Sequence, residues 1–321
     1  MHKFDDLSAW RLFESLASSR SFSVTAEAFG VEPSTVTRAL DGLEASLGQQ
    51  LVSRAERPIR LTPKGEWAAK RIGPVLAAHQ KIVDAMTSDN AALKGNIRVS
   101  VAPAFATRYL MPLLAEFSKE CPQVSFEIEV GMKAADLRSQ KCDVAVLTGR
   151  QDAPGLVSLP RGRNLYLALA APAYVAKYGM PLQPEDLERH TVFVYTGPVR
   201  STTRTLRKGT EERPIIFGKT VTSPDVIAIR EGVLSGLGVS VDMPLVQCWE
   251  EVRDGKLVPI LPGWHRPQIE CFVVLSSSSW RKRRCRVFAE WFSKALQKLF
   301  QGFEDAVSGI VALELRKGAQ G

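Results

Sequence analysis

Three observations in the 321-residue sequence predict an α/β protein headed by a helical, winged N-terminal domain. Residues 21–48, SFSVTAEAFGVEPSTVTRALDGLEASLG, read as two short helices joined by a tight turn. The stretch that follows, with arginines around Pro58, reads as a small two-stranded wing. From Asn96 onward, apolar strand-like runs alternate with helical stretches, the pattern of parallel α/β sheets.

Leu7, Leu12, Phe13 and Leu16 give the first segment an apolar helical face that would complete a three-helix core. In the next helix Val24, Ala28 and Phe29 form the stripe, and Gly30 can supply the left-handed residue that ends it. Val31, Glu32 and Pro33 make the turn, with proline suited to the first position of the following helix. Val36, Leu40, Leu43 and Leu47 then bury one face of that helix, leaving Ser34, Thr35, Thr37 and Arg38 on the other. Short hydroxyls and an arginine suit a DNA major groove, where arginine pairs with guanine and small residues allow close approach. Spacing alone leaves an ordinary helical hairpin with a solvated polar face equally open. The flanks favour DNA: Arg54, Arg57 and Arg60 stand in the wing, where they would meet phosphates, and Thr62 and Pro63 open a new helix as N-cap and first residue.

These residues carry a resemblance to the LysR-type transcriptional regulators: the helix-turn-helix stretch above, "LVSR" before the wing and "RLTPKGE" after it. The likeness is close over residues 4–66 and looser beyond. Glu32 departs from the serine or threonine cap usual in the family, and Asp41 and Gly42 from positions often polar or basic. The resemblance implies a winged helix-turn-helix DNA-binding domain at 1–62, a linker and dimerisation helix at 63–92, and an effector-binding regulatory domain at 93–300. That domain would resemble periplasmic binding proteins, with subdomain I at 96–163 and 267–300, subdomain II at 164–266, a cleft between them, and a C-terminal tail at 301–321.

Composition agrees with a globular protein: 45% of residues are hydrophobic and 24% charged. No run approaches a membrane span and the N-terminus lacks a signal-peptide apolar core, so a cytoplasmic protein without membrane contact is expected. The net charge of +8 is unevenly spread. Residues 1–53 carry four basic and seven acidic side chains, whereas 54–71 carry six basic and two acidic, so electrostatic attraction to DNA must lean on the wing. The most basic run, RKRRCR at 281–286, opens a helix and reads first as a solvated surface, second as a nucleic-acid patch. Five scattered cysteines and four dispersed histidines suggest buried thiols, no metal site and no cofactor; His190 reads as structural.

Within the linker helix, Val75 and Ile82 lie seven residues apart, a spacing that suits pairing with a second copy, and Pro74 should kink it. Beyond it, strands are expected at 97–101, 126–130, 143–147, 165–170, 192–195, 215–221, 237–241 and 271–275, and helices at 108–120, 225–234 and 286–300. Open α/β sheets bind ligands beyond the carboxyl ends of their strands. That rule nominates Pro103, Thr148, Thr196, Ser201, Thr202 and Ser223 as effector contacts. VAPAFAT at 101–107 offers alanines where hydroxyls would serve an anion, so polar contacts should come mainly from subdomain II. Turn capping by these hydroxyls is an equal reading.

The expected partners are therefore double-stranded DNA bearing an interrupted inverted repeat, an unidentified small-molecule effector, a homodimer or homotetramer, and RNA polymerase as a further candidate. Ser34, Thr35, Thr37 and Arg38 would enter the groove, with Arg54 and Arg57 on phosphates or in the minor groove beside the wing. A small-molecule sensor with weak DNA binding is the alternative, motivated by Glu32 and Asp41. No phosphate loop, nucleophile elbow or histidine–acid–cysteine cluster points to an enzyme.

Overall fold

The computed structural model describes residues 7–53, 58–87, 93–131, 137, 139, 141–149, 151 and 155–311. The chain falls into two compact units, residues 1–159 with 272–293 and residues 160–271 with 294–321.

The first unit begins with α1 (Leu7–Ser19), α2 (Phe22–Phe29) and α3 (Pro33–Leu47). Phe13, Leu16, Leu40 and Leu43 pack in one cluster with Leu51, Val52 and Leu61 from the wing; Leu12, Ala26 and Val36 form a second. The deepest residues of α2 are Thr25 and Ala26, with the predicted Val24, Ala28 and Phe29 only half-buried. Thr25 tolerates full burial because its hydroxyl lies 2.9 Å from that of Ser19. Gly30 ends α2 at φ 63° and Gly48 ends α3 at φ 62°, the left-handed conformation that costs glycine least. Strands β1 (Val52–Ser53) and β2 (Arg60–Leu61) pair antiparallel as the wing, and Thr62 caps α4 (Pro63–Thr87) by accepting the Gly65 N–H at 3.0 Å. Helix α4 continues through Pro74 rather than ending there, although proline removes that position's N–H from the ladder.

The same unit carries a five-stranded sheet in the order β4-β3-β5-β14-β6, built from β3 (Lys94–Val101), β4 (Gln123–Val130), β5 (Val144–Thr148), β6 (Leu156–Asn164) and β14 (Ile269–Ser276). Strand β3 runs parallel to β4 and to β5. After β3 come α5 (Pro103–Phe105), a π-helical turn (Ala106–Leu110) and α6 (Met111–Glu120). Phe117 of α6 packs edge-on against Phe126 and Phe288, rings 6.0 and 5.1 Å apart.

The second unit holds a sheet in the order β11-β8-β12-β7-β13: β7 (Tyr166–Ala170), β8 (Thr191–Tyr195), β11 (Lys219–Ser223), β12 (Val239–Pro244) and β13 (Val258–Pro259). Here the expectation of parallel strands holds for part of the sheet and is corrected for the rest. β11, β8 and β12 are parallel, but β7 pairs antiparallel with both β12 and β13. The single strand expected at 215–221 is also replaced. A hairpin of β9 (Thr205–Lys208) and β10 (Glu211–Pro214) precedes it, and the pairing segment starts only at Lys219, after the half-turn around Gly218. Gly218 cannot take a side chain, because a Cβ there would overlap the Glu188 carbonyl. Helices α7 (Pro172–Tyr178), through Tyr174, and α8 (Val226–Leu234) pack on the sheet, and α9 (Trp249–Arg253) follows β12.

Two helices close the chain, α10 (Ser277–Arg281) and α11 (Arg283–Ala306); Phe288, Phe292 and Leu296 of α11 are fully buried. The basic run 281–286 is neither a plain solvated surface nor a free patch. Arg281 lies 4.3 Å above the Phe29 ring, the Lys282 ammonium donates to Asp143 at 2.9 Å, and Arg286 is 4% exposed and donates to the Trp280 carbonyl. Local sequence shows the charges but not the carboxylate and rings, brought from far along the chain, that absorb them.

Candidate nucleic-acid interface and ligand-binding residues

Helix α3 buries Val36, Leu40 and Leu43 and thereby turns Ser34, Arg38 and Asp41 outward, with Thr35 and Thr37 at the margins. The Thr37 hydroxyl donates to the Pro33 carbonyl at 3.1 Å, and the Arg38 Nε reaches the Ser34 carbonyl at 3.4 Å, a long bond that a base edge can replace. The helix starts without a side-chain cap: Glu32 is extended but accepts nothing through its carboxylate. Pro33 has no N–H and the Thr35 N–H donates to the Glu32 carbonyl at 2.8 Å, so the backbone itself takes up much of the first turn. The wing is tied to the far end of the same helix, since Glu44 Oε1 accepts the N–H of Leu51 at 2.6 Å and of Val52 at 3.0 Å. Arg54 and Arg57, assigned to the phosphates, lie outside the described residues; Arg60, on β2, is exposed.

The ligand candidates divide between the units. In the first, exposed Pro103 follows the end of β3 and half-buried Thr148 ends β5. Ala102, ahead of Pro103, makes no side-chain cap bond, as the alanine-rich sequence implies. In the second, Thr196 and Ser223 meet at the carboxyl ends of β8 and β11, the Thr196 N–H donating to the Ser223 carbonyl at 3.0 Å. The Thr202 hydroxyl donates to the Tyr195 carbonyl at 3.0 Å, the Ser223 hydroxyl accepts the Asp225 N–H at 3.0 Å, and Ser201 is exposed. Two of these hydroxyls are therefore engaged in capping turns, although each keeps a lone pair or a proton for another group.

Sequence reading missed two clusters. One joins the helix-turn-helix to the α/β part of the first unit. Glu14 of α1 is 5% exposed; its Oε1 accepts the Ser277 hydroxyl at 2.6 Å, and Arg281 Nη1 stands 3.8 Å from its Oε2. Arg11, Gly73, Leu76, Val157 and Trp280 complete the surrounding walls. Burial pushes the Glu14 carboxyl above its ordinary 4.5, and the Ser277 hydrogen bond and the Arg281 and Arg11 charges reverse that in part. A raised folded value means the folded state holds the proton more tightly, so stability is greatest at low pH and falls as pH climbs from about 4.5 through the raised value. Glu14→Gln should flatten that part of the profile, as read from urea midpoints between pH 4.5 and 8; an unchanged slope would discard the assignment. The second cluster gathers Arg200, Asp242 and Arg266 around Tyr166. Neither follows a local motif, since each draws partners from distant segments.

The remaining titratable candidates are structural. His190 is 7% exposed, its Nδ1 lies 3.2 Å from the Tyr174 hydroxyl, and burial holds its pKa below the ordinary value. The five cysteines are free thiols, four of them buried, and burial with the Asp143 charge raises Cys285 to about 12.

A winged helix-turn-helix head followed by a helix and α/β ligand-binding lobes defines a class, the ligand-responsive regulators of transcription. Residues 7–66 match the bacterial regulatory helix-turn-helix proteins of the LysR family, and residues 90–297 match the LysR substrate binding domain. The chain belongs to the LysR family of DNA-binding transcriptional regulators. It is 29% identical over 282 residues to the regulator PtxR of Pseudomonas aeruginosa, covering 87% of this chain and 89% of that one. It is 26% identical over 300 residues to the uncharacterized regulator YhjC of Escherichia coli K12, covering 92% and 99%. Among solved structures, CrgA of Neisseria meningitidis, a LysR-type regulator, aligns with TM-score 0.57 and 25% identity over 90% of this chain and 98% of that one. The Vibrio cholerae activator AphB shares the fold, with TM-score 0.55 at 24% identity over 89% and 98%.

Proposed function

We propose that this regulator binds an interrupted inverted repeat in promoter DNA as a dimer or tetramer, one α3 helix entering each major groove. The observation that carries the reading is the outward Ser34–Thr37–Arg38 face on a helix whose opposite face is fixed in the core by Val36, Leu40 and Leu43. Arg38 pairs with a base edge, Ser34, Thr35 and Thr37 allow close approach, and Arg54, Arg57 and Arg60 meet phosphates. Pairing of two copies is supported by α4, which leaves Trp67, Val75 and Ile82 exposed at 58%, 54% and 61%. A small-molecule effector held by the regulatory domain, with contacts drawn from Pro103, Thr148, Thr196, Ser201, Thr202 and Ser223, biases one arrangement of the paired heads over another. RNA polymerase is a further candidate partner for this role. The site of action is the cytoplasm; among the described residues no helix is long and apolar enough to cross a membrane.

Arg38→Ala is expected to weaken binding to the operator by roughly 1–3 kcal/mol, about 5- to 150-fold, while binding to random DNA changes much less. Fluorescence anisotropy at several salt concentrations checks it. Equal losses on both DNAs would make Arg38 a phosphate contact. Exposed Asp41, beside Arg38 on the same face, supports the second reading, a sensor whose DNA affinity is weak. Binding to the operator no tighter than to random DNA would favour it.

A further inference from the structure

Two neighbouring strands of the first unit's five-stranded sheet meet the helix-turn-helix at one place. The chain leaves the unit within β6 and returns to it within β14, which lie side by side in that sheet. Gly155 precedes β6 and Ser277 follows β14, and the Ser277 N–H donates to the Gly155 carbonyl at 2.9 Å. Both residues touch α1. The Ser18 hydroxyl reaches the same carbonyl at 3.4 Å, and Glu14 Oε1 accepts the Ser277 hydroxyl at 2.6 Å. The approach is close: a Cβ on Gly155 would stand 2.1 Å from the Ser18 Cβ. At the other end of α10, Arg281 covers the Phe29 ring at 4.3 Å, so α2 is gripped as well.

Helix α10 makes this contact with one side only. On the other side Ser279 and, just past the helix end, Lys282 donate to Asp143 at 3.1 and 2.9 Å. These bonds hold α10 on the sheet whether or not the head is docked.

The seam is also one that can open. It is polar, and water can replace its hydrogen bonds when the surfaces part. The buried Trp280 Nε1 and Arg281 Nη1 have no hydrogen-bond partner among the described residues, and Arg281 Nη1 stops 3.8 Å from Glu14 Oε2. Opening gives both donors water, which offsets part of the loss. Ser34 and Arg38 are exposed while the seam is closed. The contact therefore sets where the head points without covering its outward face.

We propose that this seam is a latch through which the regulatory part orients the head directly. With α1 held by Gly155 and Ser277, a shift of β6 or β14 reaches the recognition helix by a route separate from α4. This rests on the effector-responsive reading above and adds the device that carries the response. Latched heads fix the distance between paired α3 helices; released heads tolerate a change in it.

Ser18→Glu is the probe, because Ser18 faces Gly155 across the seam and glutamate favours the helix. In the full-length protein without DNA, amide hydrogen exchange should rise about tenfold in α1 and, with it, at the ends of β6 and β14 that meet α1. Arg281→Met, which keeps an apolar stem over Phe29, should give a smaller rise at the same places and serves if the glutamate variant does not fold. On DNA, moving the operator half-sites apart by one base pair, about a tenth of a turn, should weaken the wild type at least about threefold more than Ser18→Glu. No rise in exchange, or a rise confined to α1, would overturn the proposal without reference to DNA. So would equal sensitivity to spacing in two proteins whose exchange differs. Upstream DNA bound no better than random DNA would remove the operator reading, and the exchange result would then decide the latch alone.

Discussion

Replacing Asp143 with alanine should cost the first unit about 3 kcal/mol, the lower end of what breaking a buried ion pair costs. Asp143 is 3% exposed and uses both oxygens. Oδ2 accepts the Arg98 backbone N–H at 3.1 Å and its Nε at 3.3 Å, while Oδ1 accepts the Ser279 hydroxyl at 3.1 Å and the Lys282 ammonium at 2.9 Å. One carboxylate thus ties β3 to α10 and to the start of α11. The cost falls at the lower end because the Lys282 and Arg98 side chains, 34% and 31% exposed, can turn to solvent once released. The Arg98 N–H and the Ser279 hydroxyl cannot. A loss of this size lowers Tm by roughly 6–12 °C in a unit of this length. Burial alone would raise the Asp143 pKa; hydrogen bonds from Lys282 and Arg98 outweigh it and hold the value below 3.8. Its stabilisation is therefore complete above about pH 4 and is lost as pH falls through the lowered value. Thermal melts of wild type and Asp143→Ala at pH 7 decide the matter; a change under 1 kcal/mol would reject it.

The second large effect concerns assembly. Val75→Glu with Ile82→Glu should convert the protein to a monomer. The two positions lie seven residues apart on α4 and are 54% and 61% exposed, so the charges disturb nothing within one chain. In a paired helix each would lose about 1.5–3 kcal/mol of apolar burial and add a desolvated charge. A two-fold interface counts each change twice, so dissociation should strengthen by at least about 100-fold. Light scattering should show the variant at monomer mass with an unchanged helical circular dichroism signal. An assembly unchanged in mass would place the interface elsewhere.

The DNA-binding head was legible because its determinants are local. Gly30 and Pro33 mark the turn, Val36, Leu40 and Leu43 give the helix its period, and Thr62 caps α4, all within a few residues of what they control. Strand β6 escaped notice because LVSLPRGRN carries a proline and two arginines; as the edge of its sheet it can hold them, since no neighbour needs those N–H groups. Strand direction in the second unit was equally hidden, because alternation of strands and helices does not reveal that β7 runs against β12. The two buried polar clusters were the least visible. Glu14 meets Ser277 across 263 positions of sequence, and Arg200 meets Asp242 across 42. A buried arginine looks the same in sequence as a solvated one until its partners are known.

The central claim is that the Ser34–Thr37–Arg38 face reads promoter DNA. It is tested most directly by titrating the full-length protein against the DNA upstream of its own gene and against random DNA of equal length, with Arg38→Ala in parallel. Tighter binding to the upstream DNA, with the difference reduced 5-fold or more by Arg38→Ala, is the predicted result. Equal affinity for both DNAs, unchanged by the substitution, would contradict it.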